Sequence, residues 1–303
     1  MPDLRRRSDR LHSLDSIAYL THSHPLTLQN LIKQLNPASN FISTVCEPEG
    51  WEGFLAAQVR HRLGEQFAQM SYIIADAQAE LDLVPAFLEA LIKDCGEKGA
   101  FYLLSDLKSD SVLIEAFRQV DFNVWAKQRF YRLEDGISVP VQEDTPWRLW
   151  TNADLKAIHA LCKSLVPKLF QNFEPLTRKT ATVLVNDAPD GSLRGFVDVY
   201  IGPNGIVALP LVLPDYVDNP NFILDMVSAL PTPGHRPIYI CVRSYQPWLE
   251  DLMQRLPTLS SSEHLLMIKY MAVRQKANSL LSVRGFENRA DNGVPVARSG
   301  CNQ

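Results

Sequence analysis

The chain has 303 residues, 46% of them hydrophobic and 21% charged, with a formal charge of −4. That length suits two medium domains with apolar cores, and the mild acidity excludes a general attraction to nucleic acid or to an anionic membrane surface. Five scattered cysteines are no disulfide framework, and no signal peptide or apolar run of spanning length is visible, so the expectation is a cytoplasmic protein.

In chain order, Pro25 to Leu35 places Leu28, Leu31, Ile32 and Leu35 at helical spacing, with Pro37 as a stop. Phe41 to Val45 and Gly53 to Val59 read as strands around the turn Glu47 to Gly50, and Phe67 to Ile74 as a third strand. Residues 83–95 form an amphipathic helix with Leu83, Phe87, Leu88, Leu91 and Ile92 on one face. A strand from Phe101 to Leu104, a helix from Val112 to Val120 and a strand from Val124 to Leu133 follow. The acidic, proline-containing stretch 135–146 reads as a linker.

The order then begins again. A strand at Trp147 to Trp150 precedes a helix carrying Leu155, Ile158, Leu161 and Leu165, capped by Asn152 or Asp154. Strands are expected over 182–185, 195–201 and 206–213, a helix over 222–230, a strand over 238–242, a helix over 248–256 and a last strand over 265–273. Both halves place Gly-Phe at the opening of the returning strand (Gly53-Phe54 and Gly195-Phe196), which points to an internal duplication. The expected units are residues 1–134 and 147–275, and the polar stretch 276–303 reads as a disordered tail.

Several residues invite chemistry and have a plain alternative. His22 and His24 are too few for a zinc site, and no metal is expected. His61 stands between Arg60 and Arg62 at a strand end, where an exposed basic end is the simpler reading. Cys162 shares a helix face with His159 but has no orienting third group, so packing is preferred over nucleophilic chemistry. Cys46 and Cys241 read as core. The tryptophans read as packing, with Trp147 and Trp150 as candidates to line a groove between the halves.

The segment from Leu83 to Phe122, in its order of long helix, strand, helix and closing strand, resembles the GNAT acyltransferase family, and the second half resembles the same core. The resemblance implies an α/β (mixed α+β) fold of two GNAT-like units in tandem, each a mixed, mostly antiparallel sheet flanked by helices. It also implies acetyl-CoA as cofactor and a small-molecule amine or acyl-CoA as partner. On that pattern the coenzyme would lie on the strand at Ile73 and Ile74, at the start of the long helix at Leu83 and Val84, and at Asn219 and Asn221 in the second half.

The departures are as informative. The family's glycine-rich pyrophosphate loop corresponds to Ala79-Glu80-Leu81-Asp82-Leu83-Val84, which has no glycine and two carboxylates. Each carboxylate beside a phosphate at ~4 Å costs on the order of 4 kcal/mol in a surface-like dielectric. The second-half stretch Tyr216 to Asn221 also lacks glycine and carries Asp218. The places of the family's proton-donating tyrosine hold Phe117 and Met253, which donate no proton. Two functions follow as expectations: an N-acyltransferase with atypical coenzyme contacts, or a catalytically inactive GNAT-fold module binding a ligand or a protein, with the second slightly favoured.

Overall fold

A computed structural model describes residues 11–22, 41–46, 54–62, 64–75, 81–134, 145–178, 182–216, 221–230 and 236–271. Several sequence readings lie outside them: the helix over 25–35, the turn 47–50, His24, Trp51, Glu80, residues 135–144, Asn219 and the tail 276–303.

The first half runs β1 (Leu11–Ser13), α1 (Ser16–His22), β2 (Phe41–Cys46), β3 (Leu55–Arg60), β4 (Phe67–Ile74), α2 (Val84–Glu97), β5 (Tyr102–Lys108), α3 (Ile114–Gln119) and β6 (Asn123–Leu133). The second runs β7 (Trp147–Leu149), α4 (Leu155–Leu165), α5 (Glu174–Thr177), β8 (Thr182–Asp187), β9 (Leu193–Ile201), β10 (Ile206–Val212), α6 (Asn221–Ser228), β11 (Ile238–Arg243), α7 (Pro247–Gln254), β12 (Thr258–Ser260) and β13 (His264–Tyr270). Short 3₁₀ turns at Asn152–Asp154 and Pro214–Tyr216 complete the order.

Local chemistry explains the main elements. Helix α2 starts with a proline in its first turn and buries Val84, Phe87, Leu88, Leu91 and Cys95 on one stripe. It ends where Gly99 takes φ +93° and the Ala100 N–H donates to the Cys95 carbonyl. Helix α3 ends on Asp121 at φ +60°, a left-handed position that suits glycine best, and the Phe122 N–H then donates to the Phe117 carbonyl. Ahead of α4, the Asp154 carboxylate accepts from the Thr151 N–H at 2.7 Å and its hydroxyl at 3.0 Å, a capping box around the 3₁₀ turn.

The strands join one continuous mixed sheet in the order β2-β3-β4-β5-β13-β6-β11-β10-β9-β8-β7, with β1 added to β4 and β12 to β6. The middle of that order holds the unexpected feature. Strand β13, from the end of the second half, lies between β5 and β6, antiparallel to both. Strand β6, from the end of the first half, lies antiparallel to β11. Each half therefore lends its final strand to the other, and the two lent strands are neighbours at the centre.

The cores follow the exchange. Leu265, Met267 and Met271 of the second half are buried among Leu103, Leu107 and Phe117 of the first. Tyr131 and Leu133 of the first half are buried among Ile240, Leu249 and Met253 of the second. Alternation along a strand sends every second side chain to one face, so a single lent strand feeds both the receiving core and the opposite face.

Nothing in the sequence reading anticipated β1 and α1. Helix α1 crosses the second half, where Ile17 and Leu20 pack on Val207, Leu209 and Cys241. The Thr21 carbonyl accepts the Asn204 N–H at 3.0 Å, and a Cβ at Gly202 would stand 2.1 Å from that same carbonyl oxygen. Only glycine admits so close an approach.

Candidate functional site

Both halves contain a pair of parallel strands that touch at one end and part at the other. Strands β4 and β5 pair only over Phe67 to Gln69 and Tyr102 to Leu104. Strands β10 and β11 pair only over Ile206 to Ala208 and Ile238 to Ile240. Beyond those residues each pair opens a wedge whose strand edges would present free N–H and C=O groups. Buried backbone groups need partners, so what fills each wedge decides what can bind there.

In the first half the filler is the chain itself. Strand β1 pairs antiparallel with β4, Leu11 opposite Ile74, His12 opposite Ile73 and Ser13 opposite Tyr72. The next residue closes the far side: the Leu14 N–H donates to the Ser71 carbonyl at 3.0 Å, and the Leu14 carbonyl accepts the Asp106 N–H of β5 at 3.1 Å. In the second half, side chains fill the wedge. Gln246, fully buried, accepts from the Val212 N–H at 3.3 Å and donates to the Pro210 carbonyl at 3.0 Å. The Trp248 indole N–H donates to the Val212 carbonyl at 3.1 Å.

A parallel pair that opens into a wedge, with a helix between its two strands, repeats in both halves. The succession of elements from β2 onward, though not the exchange of final strands, is the one expected from the sequence. The chain has a tandem GNAT-like fold.

No protein-family model matches the chain, and no curated protein matches it by sequence. Among solved structures it is similar to a conserved protein of unknown function from Staphylococcus epidermidis, at 12% identity and a TM-score of 0.51, over 80% of this chain and 98% of that one. It is also similar to a GCN5-related N-acetyltransferase from Sphaerobacter thermophilus, at 11% identity and a TM-score of 0.47, over 71% and 76% of the two chains. A tandem GNAT protein from the clavulanic acid biosynthesis pathway is similar at 11% identity and a TM-score of 0.47, over 84% and 93%. Likeness at such identity concerns fold alone.

Within the GNAT-like frame, the expected coenzyme contacts are placed as follows. Ile73 and Ile74 are buried, and their strand edge is taken by β1. Val84 is fully buried and Leu83 packs beside it in the same apolar cluster as Ile73. Leu83 supplies no side-chain cap to α2, and Asp82 is exposed. Asn221 is exposed at the start of α6, far along the sheet in the other half. The places of the proton-donating tyrosine are sealed: Phe117 and Met253 are both fully buried, and Phe117 packs against Phe122 with tilted rings whose centroids are 4.8 Å apart. The residues at the wedges do not suit an extended thioester carrier lying along the strand edge.

Other sequence readings resolve too. His61 is buried rather than an exposed strand end, with Nδ1 3.1 Å from the Phe67 carbonyl and Nε2 3.2 Å from that of Lys98. Both ring nitrogens face backbone carbonyls, so the ring is held in place by the turn and the end of α2. Cys46 is exposed rather than core: it shares a face with the buried Ile42, but it is the last residue of the edge strand β2 and lies beyond the covered part of that face. Cys241 is buried as expected. Among the described residues, no group of three or more His, Cys, Asp or Glu could hold a metal ion, and no helix is long and apolar enough to cross a membrane.

The polar chemistry instead lies where the lent strands meet, on residues the sequence reading passed over. Asp106 on β5 holds the Nδ1 of His264 on β13 at 2.9 Å and the Gln128 amide on β6 at 2.8 Å. Gln128 accepts from Arg243 on β11 at 2.5 Å. Arg243 faces Glu174 at 3.6 Å, and Glu174 and Asp198 flank Arg178 at 2.7 and 2.6 Å. All of these side chains are buried. A detectable signal did exist: Asp198 and Asp106 each stand inside a largely apolar strand, and Arg243 ends one; a charge buried with such a run has to be paired.

Ser16, His264 and Asp106 look at first like a nucleophile relay. The Ser16 hydroxyl lies 2.9 Å from the same Nδ1 that meets Asp106. A relay uses the two ring nitrogens separately, one for the nucleophile and one for the carboxylate. This trio shares one nitrogen, so it fixes α1 to the sheet and activates nothing.

Burial would push Asp106 up, but hydrogen bonds from His264 and Ser16 and the His264 charge outweigh it and hold the carboxyl below its ordinary 3.8. Burial likewise acts on Glu174, and the Arg243 and Arg178 charges reverse it, leaving the group below 4.5. Asp198 goes the other way, since burial there exceeds the help from Arg178. A depressed carboxyl stabilises the fold above its unfolded value and loses that contribution as pH falls through the folded one. Asp106 and Glu174 should therefore make the protein acid-labile below pH 4.5 and increasingly so below 3.8. Urea midpoints measured down that range should fall, and Asp106→Asn should flatten the slope.

Beside this network, between α1, the β3–β4 turn and the centre of the sheet, lies a cavity of about 420 Å³. Trp125, Ser105, Gln128 and Arg243 form part of its wall, with Arg60 and Arg62 at the rim. The Arg243 guanidinium lies 5.6 Å from the Trp125 ring centre. The Ser105 hydroxyl is buried there without a hydrogen-bond partner.

Proposed function

We propose that this chain is a GNAT-like binding module without acyl transfer, whose ligand site is the cavity between the halves. The observation that carries the proposal is the closure of both wedges by the protein's own groups: β1 on the edge of β4, and Gln246 with Trp248 on the edge of β10. Displacing a paired strand edge costs the hydrogen bonds already made, and a coenzyme would have to replace each of them. The carboxylate of Asp82 at the start of α2, together with Phe117 and Met253, supports the same reading.

The competing reading, an N-acyltransferase using acetyl-CoA and an amine acceptor, requires β1 to leave its wedge. Calorimetric titration with acetyl-CoA separates the two. The expected result is no saturable heat with the native chain, and none with His12→Pro, which removes an N–H from β1. Micromolar binding by the native chain, or binding that emerges in the variant together with turnover of an amine, would overturn the proposal.

A further inference from the structure

A second cavity, of about 460 Å³, opens in the second half between α4, α5 and the sheet face of β8 and β9. Its walls are apolar: Trp150, Leu155, Ile158, Val166, Val183 and Phe196. At about 30 Å³ per heavy atom, the share of a water molecule in the liquid, it has room for roughly fifteen heavy atoms. An apolar pocket with a few polar groups is the usual form of a small-molecule site. No residue lines both this cavity and the one between the halves, so a ligand here is independent of the proposed function.

The charges around it fall into two groups. Glu174, Arg178 and Asp198 lie beneath, and they neutralise one another together with Arg243. Arg178 pairs with Glu174 at 2.7 Å and with Asp198 at 2.6 Å, and Arg243 stands 3.6 Å from Glu174. Two buried cations thus face two buried anions, and a ligand meets a floor of no net charge. Lys163 is different. It is exposed on α4, it lines the cavity, and it pairs with no carboxylate among the described residues.

The local sequence has the same sign. From Leu155 to Phe173 the chain carries Lys156, Lys163 and Lys168 and no aspartate or glutamate, although its formal charge as a whole is −4. Lys156 and Lys163 are one heptad apart on α4, close to two turns, so both stand at the edge of the stripe that lines the cavity. Lys156 and Lys168 are exposed, as Lys163 is. Apolar walls over a neutral floor, with cations along one edge, fit an apolar chain whose end is negative. That end stays at the mouth, where water still reaches it, and avoids the desolvation that a buried ion pair would cost. Lys163 is the one lysine among the lining residues, which matches a head of one negative charge such as a carboxylate.

We infer that this cavity binds an aliphatic carboxylate, its chain lying against Ile158, Val183 and Phe196 and its head at the mouth beside Lys163. Cys162 and His159 line the cavity as well, as their shared helix face implied. Burial pushes the Cys162 thiol up to about 11, so it contributes bulk and no nucleophile.

The test is a titration of the full chain with decanoate, octanoate and hexanoate, each kept monomeric, followed by NMR of the backbone amides. Decylammonium serves as the counterpart of opposite charge. Decanoate should saturate with a dissociation constant of about 100 micromolar or tighter, as its heavy atoms allow, and shift the amides of α4, β8 and β9. Each methylene removed should weaken binding about twofold to fourfold, the loss expected for apolar area left in water. At the same amides decylammonium should bind about tenfold more weakly than decanoate, since it exchanges an attraction to an exposed lysine for a repulsion. Lys163→Glu changes an exposed side chain, so it should leave the unfolding temperature in place and invert that preference. Failure of decanoate to saturate the native chain would overturn the inference. So would shifts that map away from α4, β8 and β9, equal binding of decylammonium, or a preference for decanoate that survives in Lys163→Glu.

Discussion

Replacing Glu174 with glutamine is expected to cost about 3–5 kcal/mol of folding stability, the range for removing one member of a buried ion cluster. The reason is charge, not volume. Glu174 is the common partner of Arg178, at 2.7 Å, and Arg243, at 3.6 Å, and all three side chains are buried. Without its carboxylate, two guanidinium groups remain out of water with only Asp198 to balance them. Asp198 is a poor substitute because burial already raises its pKa. The informative control is Arg148→Ala, which removes ion pairs of 2.8 and 2.6 Å to Asp154 and Asp187 from a side chain that is 43% exposed. Exposed pairs are worth at most about 1 kcal/mol each, so the control should lose far less. Urea unfolding of the two variants beside the native chain checks both values, and equal losses would show that the buried cluster is not what holds α5 against the sheet.

Met267→Ala is expected to cost about 2–5 kcal/mol, as for other buried large-to-small changes, and its effect should surface in the wrong half of the sequence. Met267 is fully buried on β13, yet its core neighbours include Leu103, Leu107 and Phe117 of the first half. Its strand is hydrogen-bonded to β5 on one side and β6 on the other. Hydrogen exchange should therefore accelerate first along Leu103 to Leu107 and Val124 to Phe130, some 140 to 160 residues away in sequence, as the register of β13 on both strands implies. Loss of protection confined to residues 221–260 would mean that β13 does not cross into the first half. The consequence for folding is that the first-half sheet cannot be completed before the end of the second half is available, a long-range closure of the kind that slows folding.

The strand exchange and the closed wedges bear on each other. A strand that pairs on both sides is fixed, so β5, β13, β6 and β11 form a stiff centre carrying the network from His264 to Arg243. The wedges lie outside that centre, and each is stabilised by a separate local device. The two devices are chemically unrelated, a backbone strand in one half and a glutamine amide with an indole in the other. Both end with the strand edge satisfied, which supports binding elsewhere on the molecule.

What the sequence by itself determined is local. Apolar pattern was enough for α2, α4, β4, β6, β9 and β10, because the helices bury one stripe and β10 is a continuous apolar run buried on both faces. The duplication could be read from the order of those elements, and the absence of proton donors at Phe117 and Met253 from side-chain chemistry alone. The tertiary structure decided the rest, for a common physical reason: strand pairing depends on an edge, and an edge carries no side-chain signature of its partner. Residues 11–13 are too short and too polar to announce a strand, and become one only because β4 offers unpaired groups beside them. Which final strand enters which half is invisible to apolar pattern, since β6 and β13 each read only as an apolar-rich strand. The buried ions follow from that choice. Asp106, Gln128, Arg243, Glu174 and His264 are scattered along the chain and are brought into one network only when the lent strands lie side by side.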